Sequence, residues 1–221
     1  MKNLSKKRFG FISVNLFIFI TTIIAIAITL NPASQVIGLD SSIDPIYQLG
    51  TFTLLSNIFL ALVAFITSVI AFKTRKNPLP KSLVIWYLIA ASAVALTFLV
   101  VALFLAPTRA LGGQSYFDMF VGPMFFLHFL NPLLAALTFI FLTDDEKLSL
   151  KLSPLALIPL LIYSVPYTTC SILLKVWPDF YGLAFNDRFY LTLLSYLVLG
   201  TTICVASLLL TALRNKRLQK P

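Results

Sequence analysis

Charge is scarce in this sequence. Of 221 residues only 11% are Asp, Glu, Lys or Arg, whereas 59% are hydrophobic, and the mean hydropathy is +0.93. A soluble domain carries about 25% charged residues. So little charge excludes a water-covered globule, and lipid has to be the solvent over most of the surface. Histidine occurs once, and the two cysteines, Cys170 and Cys204, lie in separate apolar runs. That excludes a clustered metal site and a disulfide framework; the cysteines read as small buried hydrophobes. Gly112-Gly113 stands alone, so there is no phosphate-cradling glycine loop. Neither a metal nor a cofactor is expected.

What is abundant is apolar length. A membrane-spanning helix needs about 20 mostly apolar residues. Six segments qualify: residues 11–30, 51–72, 82–106, 119–142, 154–174 and 189–213. Each gap holds turn formers or charge, namely Asn31-Pro32, Asn77-Pro78, Gly112-Gly113, Asp144-Asp145 and Trp177-Pro178. The runs are too long for strands and do not alternate. The expected fold is therefore all-α, a single polytopic bundle of six transmembrane helices.

Basic residues set the direction. Lys2, Lys6, Lys7, Arg8, Lys73, Arg75, Lys76, Lys81, Lys147, Lys151, Arg214, Lys216, Arg217 and Lys220 fall on one side. These are fourteen of the seventeen lysines and arginines; Arg109, Lys175 and Arg188 fall on the other. Asp40, Asp44, Asp118, Asp179 and Asp187 also lie on that poorer side. The rich side is expected to be cytoplasmic, with both ends of the chain there. The net charge of +9 comes in short clusters at helix ends, with no continuous stripe, so nucleic acid is not an expected partner. The first run has a basic start and an Ala25-Ile26-Ala27 triplet, as a cleaved signal would. Its apolar stretch is longer than the 7–15 residues of such signals, so a retained span is expected.

Polar groups inside lipid need protein partners. The densest set opens the second span: Thr51, Thr53, Ser56 and Asn57, of which the last three share a helix face. His128 sits inside the fourth span, with Asn131 and Pro132 on the same face. Pro132 frees the His128 carbonyl. His128 should lie about 13 Å deep, where Thr53 and Asn57 of the second span can meet it. Trp177, Phe180 and Tyr181, in the loop 175–187 on that side, suit a membrane interface. The plainer readings stand beside these. Ser56 and Asn57 can serve as glue between helices, and His128 as a neutral, hydrogen-bonded structural residue. Tyr163 and Tyr167 should put hydroxyls inside the bundle, and Pro154, Pro159 and Pro166 should shape the fifth span. Ala90-Ala91-Ser92-Ala93 with Ala95 offers a close-packing face for another helix or subunit.

The stretch Phe52-Thr53-Leu54-Leu55-Ser56-Asn57 resembles the helix opening F-T-x-x-S-N of the bacterial Pr6Pr family of membrane proteins. Leu127-His128-Phe129-Leu130-Asn131-Pro132 is similar to that family's L-H-x-x-x-P helix, and Val176-Trp177-Pro178-Asp179-Phe180-Tyr181 resembles its aromatic loop. The resemblance covers residues 47–213, in the family's order. Where that family carries Asp-Trp, this chain has Thr138 and Phe139. The resemblance implies a multi-pass protein of the bacterial plasma membrane with membrane lipids as partners. The family is distantly similar to the eukaryotic androgen-induced and androgen-regulated multi-pass proteins, intramembrane threonine hydrolases of fatty acid esters. That implies Thr53 as nucleophile and His128 as base.

Two functions follow as expectations. The first is a lipid-ester hydrolase in the outer leaflet, with Ser56 or Asn57 steadying the oxyanion and Asn131 orienting the imidazole. Imidazole has an unperturbed pKa of about 6.5, suited to a general base. The second is a non-catalytic carrier, sensor or helper subunit. It follows from the lack of charged residues inside the six spans, which pumps and ion-coupled transporters usually carry.

Overall fold

A computed structural model describes residues 5–33, 36, 44–74, 77–143, 146–185 and 188–219. Six helices are long and apolar enough to cross a membrane: α1 Lys6–Thr29, α2 Phe52–Thr74, α3 Lys81–Leu111, α4 Pro123–Leu142, α5 Leu150–Leu173 and α6 Phe189–Arg217. No strand occurs among the described residues. The chain is a multi-pass membrane protein of all-α class, as its apolar runs imply. Of the residues used to orient it, Lys2, Arg75, Lys76, Lys220, Asp40 and Asp187 lie outside the described ones, as does the Asp144-Asp145 turn.

The helix starts follow ordinary capping chemistry. Ser5 Oγ accepts from Arg8 N at 3.2 Å ahead of α1, and Ser149 Oγ from Lys151 N at 3.3 Å ahead of α5. The start of α4 comes four residues later than the apolar run suggests. Gly122 takes φ +56°, a conformation that breaks a helix, and Pro123 then opens the new one. Met119 and Phe120 belong instead to a separate 3-10 turn, Tyr116–Phe120.

Helix α3 is the hub and packs on α2, α4, α5 and α6. Ala90, Ala91, Ser92 and Ala93 are fully buried there, so these four small residues serve helix packing inside the bundle, with Ala95 half-buried beside them. Leu60, Val63 and Ala64 of α2 and Ala135 of α4 pack into the same core as Ala90 and Ala91. By contrast α6 leaves Leu193, Leu194, Leu197, Val198, Val205 and Leu209 exposed, the face that meets lipid.

Phe11, Ala71, Leu79, Leu148 and Leu210 share one core, which gathers the first residues of α1 and the last of α6 at a single end. We call this the basic end and its opposite the far end. Two buried arginines brace the basic end. Arg8 donates to Thr74 Oγ1 at 2.9 Å and Asn77 O at 2.7 Å, just past α2, and to Ala71 O at 3.4 Å. Arg214 donates to Thr143 Oγ1 at 2.7 Å and Glu146 O at 2.5 Å, just past α4, and stands over the Phe139 ring at 5.6 Å. Each places a cation where a helix C-terminus collects negative dipole. The helices run further than the apolar segments, so these arginines are helix residues flanking them.

The brace has a measurable weight. Arg214→Met should lower stability toward denaturation in micelles by about 2 kcal/mol, the scale of hydrogen bonds to a charged group. Arg214→Lys should recover only part, since an ammonium lacks the planar fork. An Arg214→Met protein as stable as wild type would contradict the role.

Candidate functional site

Thr53 is the second residue of α2, and the residue two before it caps the helix: Thr51 Oγ1 accepts from Leu54 N at 3.3 Å. The Thr53 carbonyl takes two hydrogen bonds, from Ser56 Oγ at 3.1 Å and from Asn57 Nδ2 at 2.9 Å. Ser56 also meets α3, its Oγ 3.0 Å from Thr97 Oγ1. These are the short back-bonds that polar side chains make in apolar helices.

Asn57 reaches further. Its amide nitrogen also donates to Leu127 O of α4 at 3.0 Å, and its Oδ1 accepts from Asn131 Nδ2 at 3.3 Å. Asn131 Nδ2 donates as well to Thr22 Oγ1 of α1 at 3.0 Å, and its Oδ1 accepts from Thr21 Oγ1 at 3.1 Å. Two carbonyl acceptors facing Asn57 Nδ2 fix which side-chain atom is nitrogen. Both amides are fully buried, and every N–H and carbonyl they carry is engaged. They stitch α1, α2 and α4 together. Asn57 has no N–H left over, so donating to an oxyanion would first require releasing Thr53 O or Leu127 O.

His128 owes its setting to Pro132. That residue has no N–H for the His128 carbonyl and its ring crowds the same oxygen. The backbone widens into a π turn over Phe126–Leu130, with Asn131 N bonded to Phe126 O. Such turns recur at functional sites. The His128 ring is buried, with Nδ1 2.7 Å from Met119 O and the Phe120 ring edge-on at 6.4 Å. A carbonyl only accepts, so Nδ1 bears the proton and Nε2 keeps its lone pair. With α4 starting at Pro123, His128 is roughly 8 Å along it. The carbonyl of Met119 orients the ring, and Asn131 points instead to α1 and α2.

Thr53 and His128 therefore lie on either side of one amide. Asn57 Nδ2 is within 3.0 Å of the carbonyl of Thr53 and of the carbonyl preceding His128. Among the described residues no hydrogen bond joins the Thr53 and His128 side chains.

The neighbour of Thr53 beyond α2 comes from the loop between α5 and α6. Tyr181 Oη accepts from Phe52 N at 2.9 Å, and the side chains of Thr53 and Tyr163 also reach it. Burial raises the Tyr181 phenol above its ordinary value against those hydrogen bonds, which lower it, so it is neutral at physiological pH. Trp177 and Phe180 cover Gly50; a Cβ there would come within 3.4 Å of the indole and 3.5 Å of the phenyl ring. Tyr163 donates to Gly50 O at 2.9 Å, and Tyr167 to Asp179 Oδ1, so both hydroxyls, expected inside the bundle, are spent on the segments that connect helices at the far end. The aromatic loop thus folds over the far end of α2.

Several functional-looking groups went unread in the sequence. Thr21 and Thr22 complete the asparagine network, and Asn15 accepts from Tyr87 Oη at 2.7 Å. The rule that polar groups in an apolar run need partners points to them equally. The Met119 carbonyl carries no residue-type signal.

Comparison with protein-family models, curated proteins and solved structures finds no match for this chain.

Because the chain has one histidine, its tautomer is directly readable. Nitrogen NMR of protein labelled with 15N-histidine should show a neutral ring protonated at Nδ1. A ring protonated at Nε2 alone would remove the Met119 hydrogen bond.

Proposed function

We propose that this chain is an intramembrane hydrolase of fatty-acyl esters, with Thr53 as nucleophile and His128 as general base. The reading is carried by the Asn57 amide, whose two hydrogen bonds hold the Thr53 backbone against the segment that bears His128. Its support also includes the His128 tautomer, which leaves Nε2 free to take a proton. The likeness of the two motifs to the Pr6Pr family adds the choice of chemistry.

In this mechanism His128 Nε2 takes the Thr53 hydroxyl proton as Oγ1 attacks the ester carbonyl carbon. The alcohol leaves with that proton, and an acyl-threonine remains. Water then attacks the acyl carbon, giving its proton to Nε2, and the fatty acid departs as Thr53 regains its hydrogen. Throughout, Met119 O accepts from Nδ1–H and fixes the ring's tautomer and orientation, the positional part of a carboxylate's role in a serine triad. Ser56 Oγ, which donates to Thr53 O and stands 3.0 Å from Thr97 Oγ1, would serve the oxyanion by turning its proton away from Thr53 O. The basic end faces the cytoplasm on the count of lysines and arginines, which sets this site toward the outer leaflet of a bacterial plasma membrane.

A second reading has its own observation. The Asn57–Asn131 network is closed, and the group standing beside Thr53 is the Tyr181 hydroxyl, bonded to Phe52 N. That arrangement suits a non-catalytic carrier, sensor or helper subunit whose polar residues only hold helices together.

Labelling of the purified protein with a fluorophosphonate probe separates them. The hydrolase should label, and Thr53→Ala and His128→Ala should each reduce labelling by about 100-fold or more. Equal labelling of wild type and Thr53→Ala would sink the catalytic assignment and favour the second reading.

A further inference from the structure

The segment 176–185, between α5 and α6, is tied down more heavily than a surface connection needs. Asp179 is its latch. Its Oδ1 accepts from Tyr167 Oη of α5 and from Leu183 N at 3.0 Å, and its Oδ2 from Ala184 N at 2.9 Å. Tyr181 N adds a 3.4 Å bond to the same Tyr167 oxygen. On the other flank Thr192 Oγ1 of α6 donates to Leu183 O at 2.6 Å. At the tip, Tyr181 Oη accepts from Phe52 N, and Trp177 and Phe180 close on Gly50.

A left-handed residue stands at each end of the segment, the first of them capping α5, where Val176 N bonds back to Cys170 O at 2.8 Å. Lys175 has φ 55° and Phe185 φ 47°, and these are the described non-glycine residues with positive φ. A left-handed backbone is costly for a bulky side chain such as phenylalanine, and persists only where surrounding contacts impose it. Two left-handed turns with side-chain attachments between them describe a strap, hinged at its ends and held in the middle.

We propose that residues 176–185 form a lid over Thr53, latched shut by Asp179 on Tyr167 and sealed by Tyr181, which must lift before a lipid ester reaches the site. In the closed form the Tyr181 oxygen takes the Phe52 N–H beside Thr53, where an incoming ester carbonyl would otherwise sit. Substrates are thus admitted at the far end, from the membrane interface, by displacement of the lid. The meaning of the lid rests on the Thr53 reading above, but its existence is tested without catalysis.

The test places a cysteine at the covered position. Cys170 and Cys204 are replaced by alanine, Thr53 by cysteine, and the rate of reaction with N-ethylmaleimide is followed in micelles. Adding Asp179→Asn, or the gentler Tyr167→Phe that keeps the ring, should raise that rate by about tenfold, as the latch equilibrium shifts toward open. A control protein carries Ala90→Cys, in the packed centre of α3, with the same latch changes; it should stay unreactive. Rates at Thr53→Cys unchanged within about twofold by both latch variants would overturn the lid. So would equal acceleration at Ala90→Cys, since opening would then be global. Should the lid open as described while fluorophosphonate labelling ignores Thr53, the lid stands and the hydrolase falls. The converse result removes the lid alone.

Discussion

An amide in hydrocarbon has to find partners within the protein, and two asparagines here meet that demand by using each other. Asn57 and Asn131 share a hydrogen bond, and their remaining groups reach α1, the start of α2 and the segment before His128. Lipid tails are as apolar as leucine, so burial of apolar side chains gives little drive for helices to associate in a membrane. Close packing and such polar contacts take its place. Around α3 the close packing comes from alanines; between α1, α2 and α4 it is reinforced by amide and hydroxyl groups. Everything at the far end of the molecule, including the spacing between Thr53 and the histidine helix, inherits its geometry from that junction.

The two ends of the bundle are built on different chemistry. At the basic end, Arg8 and Arg214 are buried against the C-terminal ends of α2 and α4, where main-chain carbonyl groups and helix dipole supply negative charge. At the far end, a carboxylate is present: Asp179 is satisfied by a phenol and two main-chain N–H groups. The basic end is thus braced by rigid caps on helices. The far end is closed by a loop held on side chains, and closures of that kind come from the less stable parts of a fold. A functional opening belongs at the second.

The fold was legible because it depends on a coarse property. Twenty apolar residues in a row span a bilayer whatever their order, so six spans emerged from composition and turn signals alone. What set the limits of α4 was finer, a single glycine at positive φ, and the apolar count ran straight through it. The face shared by Thr53, Ser56 and Asn57 was visible from helical spacing, and so was the effect of Pro132 on His128. The partners were not. A main-chain carbonyl such as Met119 O has no letter of its own, and Tyr181 reaches Phe52 only because the loop folds back over 129 positions of sequence. Thr21, Thr22 and Asn15 were legible by the same rule that singled out Asn57, and charge at Arg214 was hidden by ending the last span one residue early.

The claim on which the rest leans is that Asn57 and Asn131 act as a coupled pair inside the bilayer. A double-mutant cycle measures it directly: Asn57→Leu, Asn131→Leu and the double variant, each compared with wild type for stability in bicelles. Coupling of about 1 kcal/mol is the result this account predicts, within the range found for hydrogen bonds between membrane helices. Losses that simply add, to within about 0.3 kcal/mol, would contradict it.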